Sequence, residues 1–480
     1  MTDYQKLKLL GGLEIHQQLD TGKLFCRCPS YLRKDSPDFE IKRKLHKVAG
    51  ETGEIDIAVE YEASLNKKFS YQGYKDTICL IEIDEEPPKQ INPEALEEVL
   101  KIALLLNCQI YPVSQIMRKT VIDGSNTSGF QRTVLIAHSG FLETSFGKIL
   151  IETIALEEDS ARIISKENEK AIYRLDRLGI PLVEITTAPF SATPAQIKES
   201  ALKIGEILRA CKVKRGIGTI RQDVNINIKN HDKVEIKGFQ EPKIMEKTIE
   251  LEIERQLEEL KENKKEGEVR NSQPDGTTKF LRPLPGKARM YPETDLPLLK
   301  ISREQINKIK KCLPKLKTEI KEELKKKGLT EELINLILPD NLEEFNTLMK
   351  VYSKDASIVA KMIALWPKEL SSKLKKPLEE IRKTLTEAAL EKILAELKEN
   401  RIEKNDIKKI MENIAKGESL ENSLKKEEIS HSEMEEEISK IIKSKPGLRP
   451  NAYMGIVMAE FKGKLDAKKA MEIISRILEK

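Results

Sequence analysis

Aromatic side chains are scarce in this sequence: they form 5% of 480 residues, with a single tryptophan. Its cores must therefore be built mostly of isoleucine, leucine and valine. No uninterrupted apolar run approaches the roughly 20 residues a membrane helix needs, so no spanning helix and no membrane partner are expected. The opening residues Met1-Thr2-Asp3-Tyr4-Gln5-Lys6 lack the apolar stretch of a signal peptide, and a soluble, cytoplasmic protein follows. The six cysteines are scattered at 26, 28, 79, 108, 211 and 312; only Cys26 and Cys28 are close. No second half of a zinc motif is visible at Cys-x-x-Cys or histidine spacing, so the cysteines read as reduced thiols. A P-loop is missing, as are a Ser-His-Asp order and a Cys-His pair for covalent catalysis. No repeat of solenoid period is present.

Charge, by contrast, is plentiful. Asp, Glu, Lys and Arg make up 34% of the chain, with a formal net charge of +5. That balance is too mild to demonstrate nucleic-acid binding, yet it permits a basic face on a large protein. The length predicts roughly two to four domains. Composition changes near residue 300: short β-patterned runs and a few helices precede it, and Lys/Glu/Leu-rich helices follow, which defines an α+β class. Helices are expected over Ala95 to Leu106, with Leu96, Val99, Leu100 and Ala103 on one stripe, and over Pro194 to Ala210 behind the N-cap Thr193. A third is expected from about Ile244 to Lys264. In the helical half, Pro314, Leu338-Pro339-Asp340-Asn341, Trp366-Pro367 and Lys375-Lys376-Pro377 mark interruptions. A boundary near Gly417 leaves two tail helices, Asn451 to Lys462 and Ala467 to Lys480. The resulting division is 1–300, 301–416 and 417–480.

The N-terminal strands carry the chemistry. In Gly12-Leu13-Glu14-Ile15-His16, Leu13 and Ile15 alternate with Glu14 and His16, so a strand buries the aliphatics and sets acid and imidazole side by side. The layout returns at Leu182-Val183-Glu184-Ile185, at Arg221-Gln222-Asp223-Val224-Asn225-Ile226-Asn227 and at Val234-Glu235-Ile236-Lys237. Any one of these is explained by a solvated strand face. Several together suggest a floor for a divalent metal and a polyphosphate, because Mg²⁺ is held by hard oxygen ligands and phosphates. Leu156-Glu157-Glu158-Asp159 adds three consecutive acids that repel one another unless cations neutralise them. The turn-forming run Asp123 to Arg132 carries two glycines whose backbone N–H groups could approach an anion, and Arg118, Lys119 and Arg132 flank it with charges suited to phosphate. Arg174 and Arg177 precede the Glu184 strand. The proline-rich stretch from Arg282 through Arg289 to Pro297 is read as extended, lining a cleft or strapping the core.

These motifs together resemble the GatB/GatE family of tRNA-dependent amidotransferases. Gly12 to Asp20, Val48 to Asp56, Met117 to Arg132, Arg221-Gln222-Asp223-Val224-Asn225 and Ala288-Arg289-Met290-Tyr291-Pro292-Glu293-Thr294-Asp295 are similar to the archaeal GatE wording. The resemblance covers nearly the whole chain. It implies a ligase forming carbon–nitrogen bonds with glutamine as amido donor. Glutamate misacylated onto tRNA(Gln) is activated by ATP with Mg²⁺, and ammonia from an asparaginase-like glutaminase partner, GatD, displaces phosphate. It also implies a cradle domain with a mainly antiparallel sheet related to the glutamine synthetase fold, then helical and tail domains that grip the tRNA. Carried over position by position, the metal and catalytic residues are Glu14, His16, Glu158, Glu184 and Asp223. Arg118, Lys119, Arg132, Arg221, Glu235, Lys237 and Arg289 are the nucleotide-binding candidates, and Glu157 is a further one. Histidine is an unusual Mg²⁺ ligand, so His16 is assigned either behind the metal ligands or in ammonia handling.

One departure stands out. The family carries an inserted domain like one in bacterial-type aspartyl-tRNA synthetases, ahead of an Asp-Gly-Thr-Thr motif. Here Lys261 to Gln273 leads directly into Asp275-Gly276-Thr277-Thr278, so that domain is absent. Three other readings remain: a non-catalytic tRNA-binding scaffold, a GatB-type enzyme acting on Asp- or Glu-tRNA, and a standalone ligase for a small carboxylic acid that works without tRNA. Mg²⁺-dependent ATP binding separates the scaffold from the enzymes.

Overall fold

The computed structural model describes residues 3–49, 53–167, 170–239, 242–284, 290–424, 431–460 and 467–478. It divides into two compact units, Met1–Leu316 and Lys317–Lys480. The first is mixed α+β; among the described residues of the second, every regular element is helical.

The first unit is organised by a twelve-stranded sheet. Its main path runs Thr278–Pro283, Glu268–Ser272, Val234–Phe239, Ile220–Asn227, Leu10–Gln18, Pro181–Thr187, Gly147–Glu158, Phe130–Thr144, Ile116–Thr120 and Met290–Pro292. All neighbours on this path are antiparallel except Val234–Phe239 with Glu268–Ser272. The strand read from Gly12 to His16 extends over Leu10–Gln18 and lies near the middle of the path.

Alternation along these strands sorts the two faces. Leu13, Ile15, Val183, Ile185, Val224 and Ile236 are fully or almost fully buried in one core. The helices Pro93–Leu105, Pro194–Ala210 and Met245–Lys261 contribute Val99, Ile197, Ile204 and Ile249 to it. Each such side chain gains about 1.5–3 kcal/mol on burial. A one-residue slip of any strand would turn its aliphatics to the polar side, which fixes the register. Asn92 caps the first helix, and Thr193 and Gln196 form a capping box on the second. The third ends at Lys261, earlier than the periodicity suggests, and Asn263 just beyond takes a left-handed φ of 61°. A short link then feeds the strand Glu268–Ser272.

The compositional change near residue 300 and the packing boundary do not coincide. The helix Arg303–Lys310 adds Ile309 to the N-terminal core, with Ile306, Leu313 and Leu316 packed against it, so the first unit closes at Leu316.

A four-stranded sheet, Phe39–Arg43, Lys68–Gly73, Lys170–Arg174 and Arg162–Lys166, fastens the turn-forming run that begins at Asp123. Tyr71 Oη donates to the Gly124 carbonyl and Tyr173 Oη to the Asp123 carbonyl, both at 2.8 Å. Gly124 adopts a φ of 93°, and a Cβ there would collide with the Phe69 ring. The start of the loop is therefore pinned to the small sheet.

Among its described residues the second unit forms two hydrophobic cores. One includes Ile334, Phe345, Val359, Ile393, Ile407 and Met411; the other, in the tail, includes Ile438, Tyr453, Val457, Ile473 and Ile474. The interruption expected at Trp366-Pro367 is absent. Ala356–Ala360 continues through a π-helical turn, Lys361–Leu365, into Trp366–Leu374. Pro367 lacks the N–H a regular α ladder needs, and the wider turn accommodates it near the helix start. The tail helices span Pro450–Glu460 and Ala467–Leu478; residues 461–466 lie outside the described residues.

Candidate active site

Cross-strand register assembles the polar face. Glu14 pairs with Thr186 on one side and Asp223 on the other; His16 pairs with Glu184 and Arg221. Directly paired antiparallel residues point the same way, so Glu14, His16, Glu184, Arg221 and Asp223 share one face. Glu157, opposite Leu182, and Lys119, opposite Gln131, belong to that face farther along. Glu235, opposite Asn225, completes it with Lys237.

His16 is the hub. Its Nε2 lies 3.2 Å from Glu184, 3.6 Å from Glu14 and 3.8 Å from Glu157. Two groups result, each with ligand atoms within 4.8 Å of one another: Glu14, His16 and Asp223, and His16, Glu157 and Glu184. Cations border both. Lys119 Nζ is 3.6 Å from Glu157 and from Glu184. Lys237 Nζ is 2.6 Å from Asp223 and contacts Glu235. Arg221 is bound by Asp159 at 2.9 Å.

The electrostatics follow from crowding. Burial by itself would push the His16 imidazole down. The hydrogen bond to Glu184 and the charges of Glu184, Glu157 and Glu14 outweigh burial and raise it to about 9. The raised value makes His16 a counter-ion to the acids around it. Burial and the Glu184 charge raise Glu14; burial likewise raises Glu157, against the pull of Lys119. For Glu184, Lys119 and His16 overcome burial and hold the carboxyl well below its ordinary range. Glu235 is lowered because Lys237 overcomes its burial.

The residues present fit a hard divalent cation. The donor set is carboxylate oxygen, and Glu157 Oε2 is buried with no hydrogen-bond partner among the described residues, with Lys119 at 3.6 Å. Glu14, Asp223, Glu157 and Glu184 could hold Mg²⁺, and the bordering Lys119, Lys237 and Arg221 carry charge suited to phosphate oxygens.

Three of the sequence candidates lie elsewhere. Glu158 follows the parity of Ile154 and Leu156, points to the opposite side of the sheet from Glu157, and pairs with Arg132 at 3.4 Å. Arg118 and Arg132 also lie on that side, and both bind the buried Glu293, at 2.5 and 2.8 Å. Phe130 stacks against both guanidinium groups. Glu158 is therefore not brought together with His16; Glu157 takes that place. Arg174 donates to Gln72 on the neighbouring strand, and Arg177 to the Ser160 and Ala161 carbonyls in the loop between two strands, so both serve the scaffold. Arg289 lies outside the described residues.

Sequence reasoning missed three features. The first is Glu293: a glutamate flanked by a tyrosine and prolines in an extended strap is a natural clamp for arginines. Asp159 was seen only as one of three acids. The third is a cluster of Cys26, Cys28, Cys79 and Glu82, whose ligand atoms lie within 4.8 Å of one another. The missing second half is Cys79-x-x-Glu82, with a carboxylate where a thiol was sought. Glu82 accepts from the fully buried Lys23 at 2.9 Å and from Cys26 at 3.0 Å. Interaction with the Cys26 side chain outweighs burial and brings the Cys28 thiol down to about 7. This set could hold a thiophilic divalent cation such as zinc.

Fold and site together define a catalytic domain with an acid-lined, cation-bordered sheet face. Residues 9–307 match the family described as the GatB/GatE catalytic domain. A Methanocaldococcus jannaschii protein, named as the E-type subunit of glutamyl-tRNA(Gln) amidotransferase, is 35% identical over 629 residues, covering 99% of both chains. One of the same name from Pyrobaculum neutrophilum is 31% identical over 613 residues, covering 99% of this chain and 100% of the other. The chain belongs to the GatB/GatE family. The first alignment spans 629 residues against 480 here, so that relative carries residues with no counterpart in this chain. No helix among the described residues is long and apolar enough to cross a membrane.

Proposed function

We propose that this chain is the component of a glutamyl-tRNA(Gln) amidotransferase that activates and amidates the tRNA-bound glutamate. The γ-phosphoryl group of ATP passes to the side-chain carboxylate of glutamate on tRNA(Gln), and ADP leaves. Ammonia then attacks the activated carbonyl carbon, inorganic phosphate leaves, and Gln-tRNA(Gln) results. The ammonia comes from an asparaginase-like glutaminase partner, GatD, in a cytoplasmic heteromeric complex.

Mg²⁺ supplies charge neutralisation for phosphoryl transfer when bound. The chain's own residues do the rest. Glu14, Asp223, Glu157 and Glu184 form the oxygen floor. His16 balances their charge. Lys119, Lys237 and Arg221 face the phosphate oxygens. The reading extends to a cradle like that of glutamine synthetase, spanning about residues 1–300, and to helical and tail domains (301–416 and 417–480) whose lysine-rich surfaces grip the tRNA with salt-sensitive affinity.

The observation that carries this reading is the pair of acid groups sharing His16, each bordered by a lysine. It is tested with Glu184→Gln in the complete enzyme. ATP turnover dependent on Mg²⁺ and Glu-tRNA(Gln) should be lost while tRNA binding persists. Unchanged amidation would refute the site, and a parent protein that binds no MgATP would be the scaffold instead.

A further inference from the structure

Asp159 is completely buried and lies two residues beyond Glu157, on the same side of the sheet. Its Oδ1 accepts from Arg221 Nη2 at 2.9 Å and its Oδ2 from Gln18 Nε2 at 2.6 Å. The peptide around it is fixed as well: Asp159 N donates to the Ile180 carbonyl at 2.7 Å, and Gly179 N donates to the Asp159 carbonyl at 3.0 Å. Arg177 Nε stands 3.8 Å away while its own donors hold Ser160 and Ala161. The carboxylate therefore cannot follow a moving partner; the partner must come to it.

That partner begins a strand on the acid face. Arg221 is the cross-strand neighbour of His16 and stands two residues before Asp223. Its side chain is one-third exposed, and among the described residues its hydrogen bonds go to Asp159 alone. A guanidinium has five N–H donors in a planar fork, so most remain for an oxygen-rich ligand. The backbone before it is also set. Gln17 Nε2 donates to the carbonyls of Lys214 and Thr219 at 2.9 and 3.1 Å, closing the turn that feeds this strand. The two glutamines after His16 thus have separate tasks, one on the turn and one on Asp159.

We propose that Asp159 is a positioning residue that holds the Arg221 guanidinium at the rim of the acid face, where it binds the oxygens of the transferring phosphoryl group. This rests on the function proposed above. A buried, immobile carboxylate gives the guanidinium one orientation, so its free donors need no reorganisation when charge develops.

The test uses the full chain with its glutaminase partner, Glu-tRNA(Gln), MgATP and glutamine. Arg221→Ala should lower kcat by about 100-fold, the scale for removing a preorganised donor, with a much smaller change in KM for ATP. Added methylguanidinium should restore part of that rate in R221A but not in the R221A/D159N double variant. Arg221→Lys, which keeps an ion pair with Asp159 but not the fork, should recover the parent's melting temperature and not its kcat. Equal rescue with and without Asp159, or an R221K enzyme with parental kcat, would overturn the proposal. So would an R221A enzyme that loses stability but not turnover. The R221K result stands even if D159N fails to fold. If the parent turns over ATP and E184Q does not, a negative result here counts against Asp159 and Arg221 alone, not against the proposed function.

Discussion

His16 Nε2 sits 3.2 Å from Glu184 Oε2 on the neighbouring strand, and the same nitrogen is within 3.8 Å of Glu14 and Glu157. Three carboxylates share one imidazole. Without a cation, the imidazolium keeps their mutual repulsion in check. With Mg²⁺ among the carboxylates, that duty passes to the metal, so proton and metal compete for one patch of negative charge.

The free protein should therefore show His16 titrating near 9, raised from 6.5 by its carboxylates against the effect of burial. A raised folded value stabilises fully below the unfolded value, and the contribution is lost as pH rises through 9. The melting-temperature gap between the parent and His16→Gln should then be widest below pH 6.5 and close above pH 9. Histidine NMR titration with and without Mg²⁺ provides the direct check, and Mg²⁺ should lower the value. A free-protein value at or below 6.5 would show that the acids do not outweigh burial at His16.

Glu157 and Glu158 should separate cleanly. Calorimetric titration of Mg²⁺ should show weakened binding for Glu157→Gln and parental binding for Glu158→Gln, because only Glu157 shares the face of His16. Equal loss in both would mean that the two sides of the sheet communicate through the metal.

That distinction was partly legible in the sequence. The alternation Ile154, Leu156, Glu158 places Glu158 with the aliphatics and leaves Glu157 free to face Glu184, so strand parity alone argued for Glu157. Glu14, His16, Glu184 and Asp223 were legible because each lies inside a clean two-residue alternation. Which strands become neighbours was not: the register pairing Glu14 with Asp223 joins segments some 200 residues apart. The role of Arg118 and Arg132 was hidden for the same reason, since Glu293, their partner, arrives from a distant strap. The Cys79-x-x-Glu82 half escaped because ligand spacing was sought among cysteines and histidines only. At Trp366-Pro367, proline was read as a break, whereas a π turn absorbs it.

Lys237 holds two acids that would otherwise repel each other. Asp223 and Glu235 are both nearly buried, and its Nζ contacts each. Lys237→Met should cost about 3 kcal/mol, the low end for stranding one side of a buried pair. Mg²⁺ should then raise the variant's melting temperature more than the parent's, because a ligand that binds the folded state more tightly stabilises it more. An equal Mg²⁺ effect in both proteins would place the metal away from Asp223.

Gly124→Ala should destabilise the first unit by about 2 kcal/mol. A left-handed φ of 93° and a Cβ aimed at the Phe69 ring both oppose the substitution. Thermal unfolding measures it. Mg²⁺ binding should be unaltered, because this loop is fastened to Tyr71 and Tyr173 and does not border the acid face. A stable variant with impaired nucleotide binding would instead return the loop to the role of an anion cradle.

Glu293 is the keystone on the other side of the sheet. It is buried, takes Arg118 and Arg132 on its two oxygens, and accepts the Asp295 N–H at 3.0 Å. Burial would raise its carboxyl, but the Arg118 hydrogen bond, the Asp295 amide and the Arg132 charge prevail and lower it. A lowered folded value contributes stability above the unfolded value and loses it as pH falls through the folded one. Glu293→Gln should therefore cost about 3 kcal/mol at neutral pH, the loss expected when two arginines keep their burial and lose their shared counter-ion. The difference from the parent should shrink below pH 4.5, the ordinary value, because the unfolded parent then takes up its proton while the folded carboxyl holds its charge until lower pH. Melting curves of both proteins from pH 3 to 7 measure this. A gap that stays constant across that range would mean that Glu293 acts through shape and hydrogen bonding alone, with its charge already cancelled by Arg118 and Arg132.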